Sequence, residues 1–180
     1  VNKGMTLLSD AVKAVRDMGG IRLGGIPYSM HGKYDTPPTR TGWMNSAEAI
    51  ATTAEIAKDC DVELVLEVVN RFESNLLNTT AQGLKFIDDT GRDDVFLHLD
   101  TFHMNIEEKN QAAAIRKAGK LLGHFHACGS DRGTPGNDHI DWTPIVKALK
   151  GIRYKGDVVI ESVTTDVKVI ARAAAIWRRM

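Results

Sequence analysis

The chain has 180 residues, 43% of them hydrophobic and 26% charged, with 23 acidic side chains balanced by 23 basic ones. That length can bury a sizeable core, and residues 1–180 read as a single domain. Zero formal net charge leaves no electrostatic footprint for nucleic acid or an anionic membrane, and two cysteines, Cys60 and Cys128, are too few for a disulfide framework.

No apolar run approaches the roughly 20 residues that cross a bilayer, and no signal peptide is visible. A cytoplasmic protein with reduced thiols is expected.

Strand and helix alternate from start to finish. Leu7, Leu8, Ala11, Val12, Val15 and Met18 recur at helical spacing, and Gly19–Gly20 stop that helix. Ile21–Ile26 reads as a strand, followed by a long loop from Pro27 to Trp43. Asn45, with Glu48 three residues later, predicts a capped helix running to Lys58. Val62–Val69 is the next strand, and Leu76, Leu77, Ala81, Leu84 and Ile87 mark a helix ending near Gly91. Val95–Asp100 is a strand, and a helix is expected from Asn105 to about Lys120. His124–Cys128 is a strand that leads into a Gly-rich loop. Asp141 caps a short helix with Pro144 in its first turn and Gly151 past its end. Val158–Ser162 is the last strand, and Val167, Ile170, Ala171, Ala174 and Trp177 lie along a final helix.

Five βα units in one domain fit two architectures. A TIM barrel closes with eight strands and takes about 250 residues. On that reading the chain, which starts with a helix and with Val1, supplies the C-terminal five or so units of a longer barrel. The alternative is a complete, open, doubly wound sheet.

The placement of four residues favours the barrel. Glu67, Asp100, His126 and Glu161 each fall at or near the C-terminal end of an apolar, β-branched run, at intervals of 33, 26 and 35. Those intervals are close to one strand–helix–strand unit of roughly 30 residues. In a barrel, that end of the strands is where catalytic groups converge. Any one of these residues alone reads more simply as a salt bridge or helix cap, but the four in register point to a site. Buried carboxylates need a cation or donors close by. Three carboxylates and one imidazole suit Mn²⁺, Mg²⁺ or Co²⁺ better than a structural Zn²⁺, which prefers thiolates.

His124, His126 and Cys128 share one strand face, as do His98 and Asp100. His126 lies level with Asp100. His98 and His124 lie one layer deeper, where packed, hydrogen-bonded histidines are expected, and Cys128 reads as a small buried thiol. Arg71 reads as a structural ion pair, and Arg132, in a Gly-rich loop after a strand, as a substrate contact. Tyr28, His31 and Trp43 fit equally a pocket wall and aromatic packing. GSDRGTPGND lacks the G-x-x-x-x-G-K-[ST] pattern of a phosphate cradle, so a tight, shaped loop is expected.

E-x-x-N-R-x-E at Glu67 to Glu73, HLDTFHMN at His98 to Asn105 and HFHACGSDRGTPG at His124 to Gly136, with DHIDW and VVIES, resemble the ketose 3-epimerases. These enzymes, acting on D-tagatose or D-psicose (D-allulose), are a branch of the xylose isomerase-like superfamily. The resemblance runs from about Ile21 to the C-terminus. It implies a xylose isomerase-like (β/α)8 barrel and metal-dependent epimerisation of a free ketose at C3. Glu67, Asp100, His126 and Glu161 match the family's Mn²⁺ or Co²⁺ ligands, and Glu67 and Glu161 its acid/base pair. Glu73, His103 and Arg132 match its contacts to the sugar. No organic cofactor is implied, and a homodimer or homotetramer is. The other readings are another sugar isomerase or an inosose dehydratase of the superfamily, and a sugar-binding barrel fragment impaired in catalysis.

Overall fold

Alternation of apolar and ligand-type residues along the strands determines how this chain folds. A computed structural model describes residues 2–179. It contains five strands, β1 (Arg22–Gly25), β2 (Glu63–Val68), β3 (Val95–Asp100), β4 (Leu122–His126) and β5 (Val158–Val159). Seven α-helices accompany them among the described residues: α1 (Asn2–Asp17), α2 (Arg40–Asp59), α3 (Thr80–Thr90), α4 (Thr101–Glu107), α5 (Gln111–Ala118), α6 (Trp142–Gly151) and α7 (Val167–Arg179). The strands form one parallel sheet in the order β1-β2-β3-β4-β5. A doubly wound sheet reverses its strand order at a switch point, and here the spatial order follows the chain. The architecture is therefore the barrel type, with five of its strands.

Period-2 alternation gives the sheet two unlike faces. Leu64, Leu66, Val68, Val95, Leu97, Leu99 and Phe125 point to the helices and join Ile50, Ala54, Phe86, Ile87, Ile115 and Ile145 in one core. Each such side chain contributes about 1.5–3 kcal/mol by leaving water. Phe86 sits at its centre, with the ring of Trp43 edge-on at 5.2 Å and that of Tyr28 at 6.0 Å. Helix α3 comes so near the sheet that a Cβ at Gly83 would lie 2.8 Å from Leu97 Cδ2. The other face carries Val65, Glu67, His98, His124 and His126 around an open cavity of about 470 Å³.

Several boundaries differ from expectation. Helix α2 begins at Arg40 rather than Asn45, because Thr39 caps it by accepting from the Gly42 amide at 3.0 Å. Leu76 and Leu77 are buried ahead of α3, whose start is set by a Thr79–Gln82 capping box. The helix expected from Asn105 is two helices. The first starts directly at Thr101, and Glu108 turns extended, so its carboxylate can accept from the Thr80 amide at 2.7 Å. Asn110 then caps the second. Strand β5 pairs only through Val158 and Val159, so Glu161 lies beyond it. Among the described residues, no helix is long and apolar enough to cross a membrane.

Candidate metal centre and active site

Parallel pairing brings the four ligand-type residues together. Asp100 is in register with His126, and Glu67 with His98. Glu161 comes in from the segment after β5. One donor atom from each of Glu67, Asp100, His126 and Glu161 lies within 4.8 Å of all the others.

Positive charge already sits between these carboxylates. Asp100 is fully buried, and its Oδ1 accepts from the Phe102 amide at 2.7 Å, capping α4. Its Oδ2 accepts from Arg132 Nη1 at 3.0 Å and lies 3.7 Å from His126 Nδ1. Glu161 Oε2 accepts from Arg132 Nη2 at 2.7 Å and lies 3.1 Å from His126 Nδ1. Burial pulls the His126 imidazole down, but the two carboxylates outweigh it and push it up to about 9. The His126 bond, against partial burial and with Asp100 and Arg132 close by, holds Glu161 down at about 2. Burial pushes Asp100 up. Glu67 is bound more loosely, its carboxylate 3.5 Å from His103 Nε2 and 3.8 Å from His98 Nδ1.

Arg132 reaches this point from a strained backbone. Its φ of +61° lies in the left-handed region, unusual for a residue with a Cβ. The loop is closed by Gly129 N donating to Gly133 O at 2.8 Å, and Asp131 Oδ1 accepts from the Gly133 amide at 2.9 Å. The guanidinium lies over the Phe102 ring, 4.7 Å from its centroid. Val163 N donates to Arg132 O at 3.2 Å, which ties the Glu161 segment to the same loop.

A buried network fixes His103, another of the sequence-predicted residues. Asn70 Oδ1 accepts from the Phe72 amide at 2.9 Å, which orients the carboxamide. Asn70 Nδ2 then donates to Glu73 Oε1 and to His103 Nδ1, both at 2.8 Å, and the Asn70 backbone N–H donates to Nδ1 at 3.2 Å. His103 Nδ1 is thus an acceptor, and its proton sits on Nε2, facing Glu67. With Nε2 protonated, the 3.4 Å approach of Arg132 Nη1 is a contact and not a hydrogen bond. Glu73 stands behind His103 and also accepts from His31 at 3.1 Å.

Asn70 lies within the E-x-x-N-R-x-E motif, and the sequence alone gives it no role beyond being a polar residue directly after a buried strand. Tyr28 fits both a pocket wall and aromatic packing by sequence. It is buried and donates to the Glu67 backbone carbonyl at 2.5 Å, which steadies the strand end. Trp43 belongs to the helix-side core and donates to Asp89 at 2.7 Å. Arg71 is the expected ion pair, bidentate to Glu107 at 2.9 and 2.8 Å. Cys128 is buried, and its thiol is pushed up to about 12 by burial. His98 and His124 are packed as expected, but the expected hydrogen bonds are absent. Among the described residues, neither nitrogen of His98, nor Nδ1 of His124, has a partner. The neighbouring imidazoles meet edge to face, and Glu67 Oε2 stops 3.8 Å from His98 Nδ1, so the lone pairs and N–H groups on this face are not aligned to pair.

The chain matches the xylose isomerase-like TIM barrel family model over residues 1–180. It belongs to that family. The L-ribulose 3-epimerase of Mesorhizobium japonicum is 46% identical over 180 residues, covering 99% of this chain and 61% of that protein. The ketose 3-epimerase of Arthrobacter globiformis is 37% identical over 182 residues, covering 100% of this chain and 63% of that one. The crystal structure of D-allulose 3-epimerase from Methylomonas sp. in complex with D-allulose superposes with a TM-score of 0.89 at 39% identity, over 98% of this chain and 62% of that one. The chain thus spans about three fifths of the length of these relatives.

The four residues fit a divalent cation. They offer three carboxylate oxygens and one imidazole nitrogen, one carboxylate is fully buried, and Arg132 and a protonated His126 supply the positive charge in between. That donor set suits Mn²⁺, Co²⁺ or Mg²⁺.

Proposed function

We propose that this site belongs to a metal-dependent ketose 3-epimerase, acting on a free ketose of the D-tagatose, D-fructose or D-psicose type. The observation that carries the reading is the convergence of Glu67, Asp100, His126 and Glu161 within 4.8 Å at the C-terminal ends of neighbouring parallel strands. The relatives, named as ketose and L-ribulose 3-epimerases, support it.

Glu67, Asp100, His126 and Glu161 hold the cation, with Mn²⁺ favoured and no organic cofactor. When bound it supplies Lewis-acid stabilisation of the negative charge that develops when carbon beside a ketone loses its proton. The protein does the proton work. One of Glu67 and Glu161 removes the C3 proton from one face of the sugar, and the other returns a proton to the opposite face, inverting that carbon. Reversal of the two roles runs the reaction backwards. His103 Nε2–H and the Arg132 guanidinium donate to sugar oxygens, and Glu73 orients the sugar contacts through Asn70 and His31. The working protein is a cytoplasmic homodimer or homotetramer on the same reading.

Proton exchange in D₂O tests the reading. With D-tagatose, D-fructose, D-psicose or L-ribulose and Mn²⁺, NMR is expected to show deuterium at C3 together with the C3 epimer. EDTA and Glu161→Gln should each abolish both. Deuterium at C1 would make this an aldose–ketose isomerase instead, and sugar binding without exchange a non-catalytic binding protein.

A further inference from the structure

We propose that His98, His124 and His126 form a second cation site, built from nitrogen donors alone, one layer below the carboxylates. Strand register places them there. His98 pairs with His124 across β3 and β4, and His126 follows two residues on, on the same face. One nitrogen from each ring lies within 4.8 Å of the other two. The ring centroids are 4.0, 4.8 and 4.9 Å apart, and every pair meets edge to face rather than stacked.

The hydrogen-bond deficit points to a ligand. His98 is 3% exposed, and among the described residues both its nitrogens lack partners. The carboxylate of Glu67 is 3.8 Å from His98 Nδ1, too far for a hydrogen bond. His124 Nδ1 is buried and unpartnered too. Buried polar atoms left unmatched are rare and costly, and three on one small cluster call for a bound species. A cation accepts the lone pairs directly. The same three histidines line the cavity of about 470 Å³.

All-imidazole donors select Cu²⁺, Zn²⁺ or Ni²⁺ over Mn²⁺ and Mg²⁺. His126 also belongs to the carboxylate site, and a neutral imidazole has a single lone pair. It can serve one cation at a time, so a cation captured by the three histidines strips the carboxylate site of its only nitrogen ligand. This competition, unlike the histidine site itself, rests on the metal reading above.

Titration of the Mn²⁺-loaded protein with Cu²⁺, followed by electron paramagnetic resonance, tests both parts. Cu²⁺ bound at the proposed site shows superhyperfine splitting from three nitrogens, and the six-line signal of free Mn²⁺ rises in step. The double variant His98→Gln/His124→Gln loses the three-nitrogen spectrum and keeps its Mn²⁺ affinity. One nitrogen or none in the wild-type Cu²⁺ spectrum overturns the site, and this result needs no folded variant. Three nitrogens with Mn²⁺ retained uphold the site and overturn the competition. Failure of the wild type to bind Mn²⁺ at all sinks the carboxylate reading and leaves the nitrogen count to decide the histidine site.

Discussion

The two glutamates assigned to proton transfer are held in opposite ways. Glu67 sits inside β2, its side chain 14% exposed, paired with His98 of β3 and with Tyr28 on its backbone carbonyl. Glu161 lies past a two-residue strand, its side chain 41% exposed, and is positioned by Arg132 and His126. Hydrogen bonding of the sheet places the first, and ion pairing places the second. The β4–β5 half of the site is therefore the half that charge removal, pH and metal should disturb.

Arg132→Ala should have the largest effect. It leaves Asp100 fully buried without its guanidinium, and removing one partner of a buried pair costs roughly 3–5 kcal/mol. Glu161 is half-exposed and solvent screens its share, so the lower end, about 3 kcal/mol, is expected in urea unfolding of the metal-free protein. Saturating Mn²⁺ should recover much of the loss, since a cation between the carboxylates does the work of the guanidinium. An equal loss with and without Mn²⁺ would mean that the arginine acts by packing on Phe102 rather than by charge. Amide exchange should quicken at Val163, tied to the Arg132 carbonyl, and stay unchanged in β2.

The pH dependence of metal binding comes next. In the metal-free protein His126 stays protonated up to about 9, and a cation needs its lone pair. Affinity for Mn²⁺ should therefore fall as pH falls, by about tenfold per unit below that value, or roughly thirtyfold from pH 8 to 6.5. Glu161, held at about 2, stays ionised throughout and adds nothing across that range. Asp100, pushed up by burial, adds to the loss only at the acid end. Isothermal titration across this interval checks the slope, and a flat profile would remove His126 from the ligand set.

Much of this was legible in the chain. The strands were visible as short apolar runs bounded by turn and cap residues, and the spacing of Glu67, Asp100, His126 and Glu161 reflects one βα unit per step. What was not legible depends on partners distant in sequence. The brevity of β5, which pairs only through Val158 and Val159, is not revealed by its apolar run. The early start of α2 rests on Thr39, whose cap carries no glutamate or glutamine three residues on. The left-handed backbone of Arg132 depends on bonds closing its loop, and glycines on either side masked it. The missing partners of His98 and His124 could not be read from one-dimensional alternation, which places them on a face but does not say what else lies there.

The smallest effect distinguishes the two halves most cleanly, because it alters the β2–β3 side without touching a carboxylate ligand. Asn70→Asp replaces a donor to His103 Nδ1 with an acceptor. The carboxylate then draws the proton to Nδ1, and Nε2, facing Glu67, becomes an acceptor where the sugar needs a donor. Nitrogen-15 NMR of His103 should report the change of tautomer directly, whatever the enzyme turns over. Loss of one hydrogen bond of this kind is worth about 1–2 kcal/mol, so kcat/KM for a ketose should drop roughly five- to thirtyfold. Mn²⁺ affinity and its pH slope should not move, since those belong to the His126 side. If the tautomer reverses and kcat/KM stays the same, His103 does not donate to substrate. If Mn²⁺ affinity falls as well, the two halves are coupled through Glu67, and the separation of sheet-held from charge-held positioning fails.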